Sequence, residues 1–297
     1  MDISQLKTFI ECARQLSFSR AAEKLHLSQS AVSKRIAGLE SELQQRLFDR
    51  IGRDISLTEA GRTLLPHARN ALMMLENSIN ALRNLNDEVA GPLHLATSHH
   101  IAGKRLPAVL KRYRARYPRV ELRLDFMASE AACQAVIDGD VELAVLTLPP
   151  RLNEGLNSWT IWSDPMQVVI ASDHPALRQH DPSRLDQIIS QVAAVLPDDS
   201  TFTRQLIDQA LRDYSYTIAQ CANFIDTLRM LVDIGMGWSV LPQSMLDPTL
   251  TPIPLPNCEL TRYLGVLCNE KRSLSNAGQA FIDLLRQSAD AELPLSD

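Results

Sequence analysis

Long hydrophobic runs are missing from this 297-residue chain. None approaches the ~18 to 20 consecutive apolar residues that a helix needs to cross a bilayer, so a membrane protein is not expected. A strong charge of either sign is missing as well. The net charge is -5, with 45% hydrophobic and 22% charged residues, a composition that suits two or three globular cores and excludes indiscriminate binding of polyanions by the whole molecule. Cysteine is sparse. Cys12, Cys133, Cys221, Cys258 and Cys268 are odd in number and scattered, without the C-x-x-C or Cys/His spacing of a zinc site, which points to reduced thiols and a cytoplasmic location. The opening MDISQLK sets an acid before an amphipathic stretch, so a secretory signal is not expected. G-x-G-x-x-G, P-loop, nucleophile-elbow and H-E-x-x-H patterns are lacking too, and with them the compact signatures of common enzyme chemistries. Neither an enzyme nor a cofactor is expected.

What charge there is divides unevenly. Residues 1–90 carry 12 Lys+Arg against 11 Asp+Glu, whereas the remainder carries 18 against 24. Within the first part, Leu6, Phe9, Ile10 and Ala13 recur at the spacing of an amphipathic helix. Ser17 is a candidate N-cap for a second helix with Phe18, Ala21, Ala22 and Leu25 inward, and Ser28 for a third with Ala31, Val32, Ile36, Leu39 and Leu43 inward. The outward face of the third helix is Gln29, Ser30, Ser33, Lys34 and Arg35. Short polar and long cationic side chains at a helix N-terminus suit the major groove of double-stranded DNA, where Gln pairs with adenine and Arg or Lys with guanine. An ordinary solvated helix shows a similar face. The tight helix pair and the segment that follows favour the DNA reading, because 48–57 reads as a hairpin or wing whose Arg50 and Arg53 reach phosphates.

Taken together, FSRAAEKLHLSQSAVSKRIAGLESEL, LFDR and SLTEAG resemble the LysR-type transcriptional regulators. Gln44 stands where that family usually has the glycine that closes the recognition helix. Thr58 can cap a further helix to about residue 86, with Leu65, Ala68, Leu72, Leu75, Ile79 and Leu82 at alternating spacings of three and four, a seam for a coiled-coil partner. Gly91-Pro92 ends it, and strands then alternate with helices in two α/β sets, implying parallel crossovers. The resemblance implies an α+β multidomain chain: a winged helix-turn-helix at 1–57, a linker helix for dimerisation at 58–90, and a periplasmic-binding-protein-like effector domain at 91–297. Its subdomains would be about 91–161 with 266–297, and about 162–265. A homodimer or tetramer is expected, and RNA polymerase is a further partner to consider.

Ligands of open α/β sheets sit beyond the C-terminal strand ends, where helix N-termini present free N–H groups. Thr97, Ser98, His99, His100, Ser129, Thr147, Thr201, Phe202, Asn223 and Phe224 meet that description. Their hydroxyls, amides and backbone donors suit a small carboxylate or inorganic oxyanion, although each Ser, Thr or Asn could simply cap its own helix. The resemblance favours Ser98 and Thr201. No clustered carboxylates or thiols accompany His99 and His100, so no metal site is expected. Three rivals to an effector-responsive regulator remain: a thiol-based redox regulator using Cys221 or a Cys258/Cys268 pair, an exported solute-binding protein, and an α/β enzyme.

Overall fold

The computed structural model describes residues 1–51, 54–86, 88–179, 186–255 and 260–290, without the side chains of residues 50, 51 and 54. The chain divides into two compact units, Met1–Asn86 and Asp87–Asp297.

In the first unit, α1 (Ile3–Gln15) begins earlier than its apolar spacing suggests. Asp2 and Gln5 form a reciprocal capping box that satisfies two orphan amides. α2 (Phe18–Lys24) and α3 (Gln29–Leu43) start at the predicted caps, Ser17 and Ser28, each of which accepts a first-turn amide. The segment after α3 is held by the Glu40 carboxylate, which accepts from the amides of Leu47 and Phe48 at 2.7 and 3.3 Å. β1 (Phe48–Ile51) and β2 (Asp54–Leu57) pair as an antiparallel hairpin. Phe48 meets Phe9 and Phe18 with ring centroids 5.6 and 5.5 Å apart, above the fully buried Val32, Ile36 and Leu39. Burial at about 1.5–3 kcal/mol per large side chain holds the three helices and the hairpin as one body.

Thr58 caps α4 (Glu59–Arg83), a helix of about 37 Å at ~1.5 Å per residue. Its seam divides. Leu65, Ala68 and Leu72 pack on the helix-turn-helix core, while Leu75, Ile79 and Leu82 are 41%, 42% and 69% exposed. The first half is therefore intramolecular core, while the exposed Leu75, Ile79 and Leu82 of the second half are available to a partner helix. Gly61 enables that packing, because a Cβ there would collide with the Leu47 carbonyl.

In the second unit the elements run β3 (Gly91–Thr97), α5 (His99–Lys104), α6 (Leu106–Arg116), β4 (Val120–Phe126), α7 (Ser129–Ile137), β5 (Leu143–Thr147) and β6 (Leu156–Ala171). There follow α8 (Ala176–Gln179), α9 (Ile188–Gln191), β7 (Ala194–Leu196), α10 (Phe202–Ala210), β8 (Ile218–Cys221), α11 (Ile225–Asp233) and β9 (Ser239–Pro242). β10 (Leu250–Pro252), β11 (Leu260–Asn269) and α12 (Asn276–Arg286) complete it. β3 lies parallel to both β4 and β5, as the βαβ pattern predicts.

The second set departs from expectation. β9 and β10 pair antiparallel with β6, whereas β7 runs parallel to β8 and also bridges Trp238, just before β9, in the parallel sense. The subdomain boundaries expected at about residues 161 and 265 fall within β6 and β11. These long antiparallel strands are paired from Leu156/Asn269 to Met166/Leu260, with a bulge at Leu264/Gly265. One end of β6 thus belongs with β11 and the β3–β5 layer, and the other with β9 and β10. A Cβ at Gly265 would strike the Trp159 carbonyl, so glycine permits the close approach of the two strands. After α12 the chain fastens this crossover: Trp162 Nε1 donates to the Ser288 carbonyl at 2.9 Å and the Ser163 amide to Asp290 Oδ2 at 2.8 Å.

Gln44 follows α3 in the left-handed region, at φ 52°, a conformation that disfavours any residue with a Cβ. Gln44→Gly is expected to stabilise the protein by about 0.5–1 kcal/mol, because relief of that strain outweighs glycine's greater chain entropy. The midpoint of urea unfolding, followed by helical circular dichroism, checks it.

Candidate DNA interface and effector cleft

On α3 the exposed face carries Gln29, Ser30 and Lys34, with Ser33 half-buried beside them. Two of the predicted contacts also serve the fold. Ser28 caps the helix and its Oγ lies 2.9 Å from that of Ser30. Arg35 is half-buried and its Nη1 donates to Thr8 Oγ1 of α1 at 3.4 Å. Arg50 lies on β1, but its side chain is not among those described, and Arg53 lies outside the described residues.

In the second unit a cavity of about 230 Å³ gathers Ser98, His99, His100, Ser129, Thr147, Thr201, Asn223 and Phe224 of the predicted set. Thr97 does not line it. Its side chain is buried in β3, with Oγ1 turned to its neighbour's carbonyl. Phe202 is also absent from the lining, since its ring packs on the core beneath α7. The cavity adds residues that the sequence did not single out, among them Met127, Glu130, Thr203, Asp226 and Arg262.

Many of the predicted polar groups are already engaged. Ser129 Oγ accepts the Thr147 amide at 3.1 Å, which ties the start of α7 to the end of β5. Thr201 Oγ1 donates to the Asp198 carbonyl and accepts the Arg204 amide, so it caps α10. Asn223 Oδ1 accepts the Asp198 amide at 3.2 Å and joins two loops. Ser98 differs, because its hydroxyl makes no capping bond to α5.

Two contacts link groups far apart in sequence across the cavity. The Phe202 amide, first donor of α10, gives its hydrogen bond to Glu130 Oε1 of α7 at 2.5 Å. A carboxylate thus occupies a helix N-terminus, where orphan amides and the helix dipole favour negative charge. At the rim, His99 stacks on Phe126 at 5.9 Å and meets Phe224 edge-on at 5.4 Å. Both phenylalanines are more than half exposed.

Arg262 supplies the cationic part of the wall. It is the register partner of Asp164 on the paired β6 and β11 strands, and its Nε donates to Asp164 Oδ2 at 2.6 Å with both side chains under 5% exposed. Nη1 lies 3.5 Å from Thr203 Oγ1, and Nη2 is buried without a hydrogen-bond partner. Burial pushes this guanidinium below its usual value, while Asp164 opposes the shift; guanidinium nonetheless stays charged in proteins. Beside it His100 is pushed below 6.5, first by burial and then by the charge of Arg262. Asp164 and Asp226 pull it upward, and Lys104 adds to the depression.

The family models fit this division of the chain. Residues 3–62 match the bacterial regulatory helix-turn-helix protein model of the lysR family, and residues 86–290 match the LysR substrate binding domain. This chain belongs to the LysR family of transcriptional regulators. Among its relatives, a probable nitrogen assimilation transcriptional activator of Synechococcus elongatus is 30% identical over 302 residues, covering 99% of this chain and 97% of that one. Full-length OxyR from Pseudomonas aeruginosa shares the fold with a TM-score of 0.69 at 20% identity, over 99% of each chain. CbnR in complex with its target DNA aligns with a TM-score of 0.61 at 20% identity, over 97% of this chain and 100% of that one. This LysR-type regulator thus joins a DNA-binding domain to an effector-binding domain of two α/β subdomains. No described helix is long and apolar enough to cross a membrane.

Three of the thiols, Cys12, Cys133 and Cys268, are buried. Burial pushes Cys12 up to about 12, Cys268 up to about 11 and Cys133 upward, which suppresses the thiolates that oxidation requires. Cys221 is exposed at the end of β8, and Cys258 lies outside the described residues.

Because the depressed His100 is neutral where an unfolded histidine is still half charged, the unfolded chain takes up its proton first. Stability is therefore expected to fall as pH drops through 6.5 towards the lower folded value. His100→Gln should flatten that part of a stability-against-pH curve measured by denaturant unfolding.

Proposed function

We propose that this regulator binds dyad-symmetric promoter DNA as a homodimer or tetramer and that a small anion in the Arg262 cavity controls how it does so. The observation that carries the reading is the setting of that cavity, where the first turns of α7, α10 and α11 meet a buried guanidinium. Helix N-termini and a partly unsatisfied cation favour a carboxylate or an inorganic oxyanion. The apolar lining from Ile101, Met127, Phe224 and Leu228 favours a ligand with a hydrocarbon body over a bare oxyanion.

The domain roles follow the sequence boundaries: 1–57 reads DNA, 58–90 pairs two copies, and 91–297 senses. The exposed Leu75, Ile79 and Leu82 of α4 support pairing, since a partner helix would cover them. Two copies held in this way present two α3 helices, which fits a two-fold symmetric site. The action is cytoplasmic, without catalysis and with RNA polymerase as the downstream partner. Anion binding shifts the relative arrangement of the two subdomains, and through the oligomer the spacing of the reading heads.

Two substitutions separate the roles. Lys34→Ala is expected to weaken promoter binding, by roughly 1–3 kcal/mol for a base contact or through a smaller salt slope for a phosphate contact. Ser98→Ala should leave that affinity and slope in place and reduce the response to effector. Electrophoretic or fluorescence binding at several salt concentrations measures both. Loss of basal DNA binding in Ser98→Ala would contradict the separation of reading head from sensing domain.

A further inference from the structure

The groups in the cavity that the fold itself leaves unused are few. Thr201, Ser129 and Asn223 spend their hydrogen bonds on neighbouring backbone, and the Phe202 amide is given to Glu130. Among the described lining residues, Arg262 holds a buried nitrogen, Nη2, that has no hydrogen-bond partner. A buried guanidinium N–H left unsatisfied is costly, and an occupant that satisfies it regains that cost on binding.

The geometry points to Arg262 as the residue that recognises the negative group of the effector, with Asp164 setting how strongly it does so. This deepens the anionic-effector reading and rests on it. The guanidinium has a planar fork. Asp164 takes Nε, Thr203 lies within reach of Nη1, and Nη2 is buried without a partner on a residue that lines the cavity, which leaves it to answer a carboxylate of the ligand. Asp164 partly neutralises the cation, so it weakens the hold on a second anion while keeping the buried charge tolerable in the empty state. The pair sits on β6 and β11, the strands shared by both subdomains. A ligand carboxylate on Nη2 therefore competes with Asp164 for the same cation, at the place where the subdomains are joined. Occupancy is read on the crossover itself.

The test uses the full chain, with sodium benzoate, acetate and sulfate as anionic probes and benzamide as the neutral counterpart of benzoate, at constant ionic strength. Calorimetric titration gives affinities, and circular dichroism with thermal unfolding confirms that each variant is folded. Removal of Arg262 alone strands Asp164 in the interior, so the informative variant is the neutral pair Asp164→Leu with Arg262→Met. Wild type is expected to bind benzoate at least tenfold more tightly than benzamide. The neutral pair should bind the two alike. Asp164→Asn, which frees the cation, should bind benzoate several-fold more tightly than wild type, an outcome that a purely structural ion pair would not give. Anion affinities that are the same in wild type, the neutral pair and Asp164→Asn would overturn the role of Arg262 and leave the anionic-effector reading standing. If none of the three salts binds wild type or Asp164→Asn better than benzamide does, both readings fall.

Discussion

The effector domain depends on the pairing of β6 with β11, because these two strands carry the chain between its α/β subdomains and back. Their close approach requires Gly265, and their outer face is fastened by Trp162 and Ser163 to the end of α12. The same ladder places a full charge pair, Arg262 and Asp164, in the interior. Loss of one partner from such a pair costs about 3–5 kcal/mol, whereas a well-packed apolar pair would serve stability as well or better. A buried pair beside a cavity is therefore poorly explained by stability alone and well explained by recognition.

The cavity wall obeys the same economy of hydrogen bonds. Helix first turns leave amides without intrahelical acceptors, and at α10 the protein answers with its own side chains, Thr201 on the Arg204 amide and Glu130 on the Phe202 amide, while Ser129 ties the Thr147 amide at the end of β5. These ties fix the cleft before any ligand arrives. Two lining groups outside these ties, Ser98 Oγ and Arg262 Nη2, differ in kind. One is a neutral donor on a short helix in the β3–β5 layer, and the other a cation on the crossover.

How much of this was legible in the sequence depends on how local each signal is. Ser17, Ser28 and Thr58 cap their helices because a hydroxyl needs only the next few amides, so the helix-turn-helix and α4 could be placed from periodicity and caps. The division of the α4 seam was not legible, since Leu65 and Leu75 look alike until the globular core packs on the first and leaves the second 41% exposed. The first half of β6 was not legible because its partner strand, β11, lies almost a hundred residues later. Arg262 escaped for the same reason. In isolation it is an exposed-looking charge within LTRYLGVLCN, and only Asp164 makes it buried. Glu130 resembled an ordinary first-turn acid until Phe202, 72 residues on, took its carboxylate.

A reader at one end and a sensor at the other have regulatory meaning only if the occupied cavity alters the bound DNA. The most direct measurement is the footprint and bend angle of promoter DNA on the full-length protein, with and without a saturating anion whose binding has been established by titration. The account predicts a shortened or shifted footprint with a changed bend angle. An unchanged footprint and an unchanged bend at saturation would contradict it.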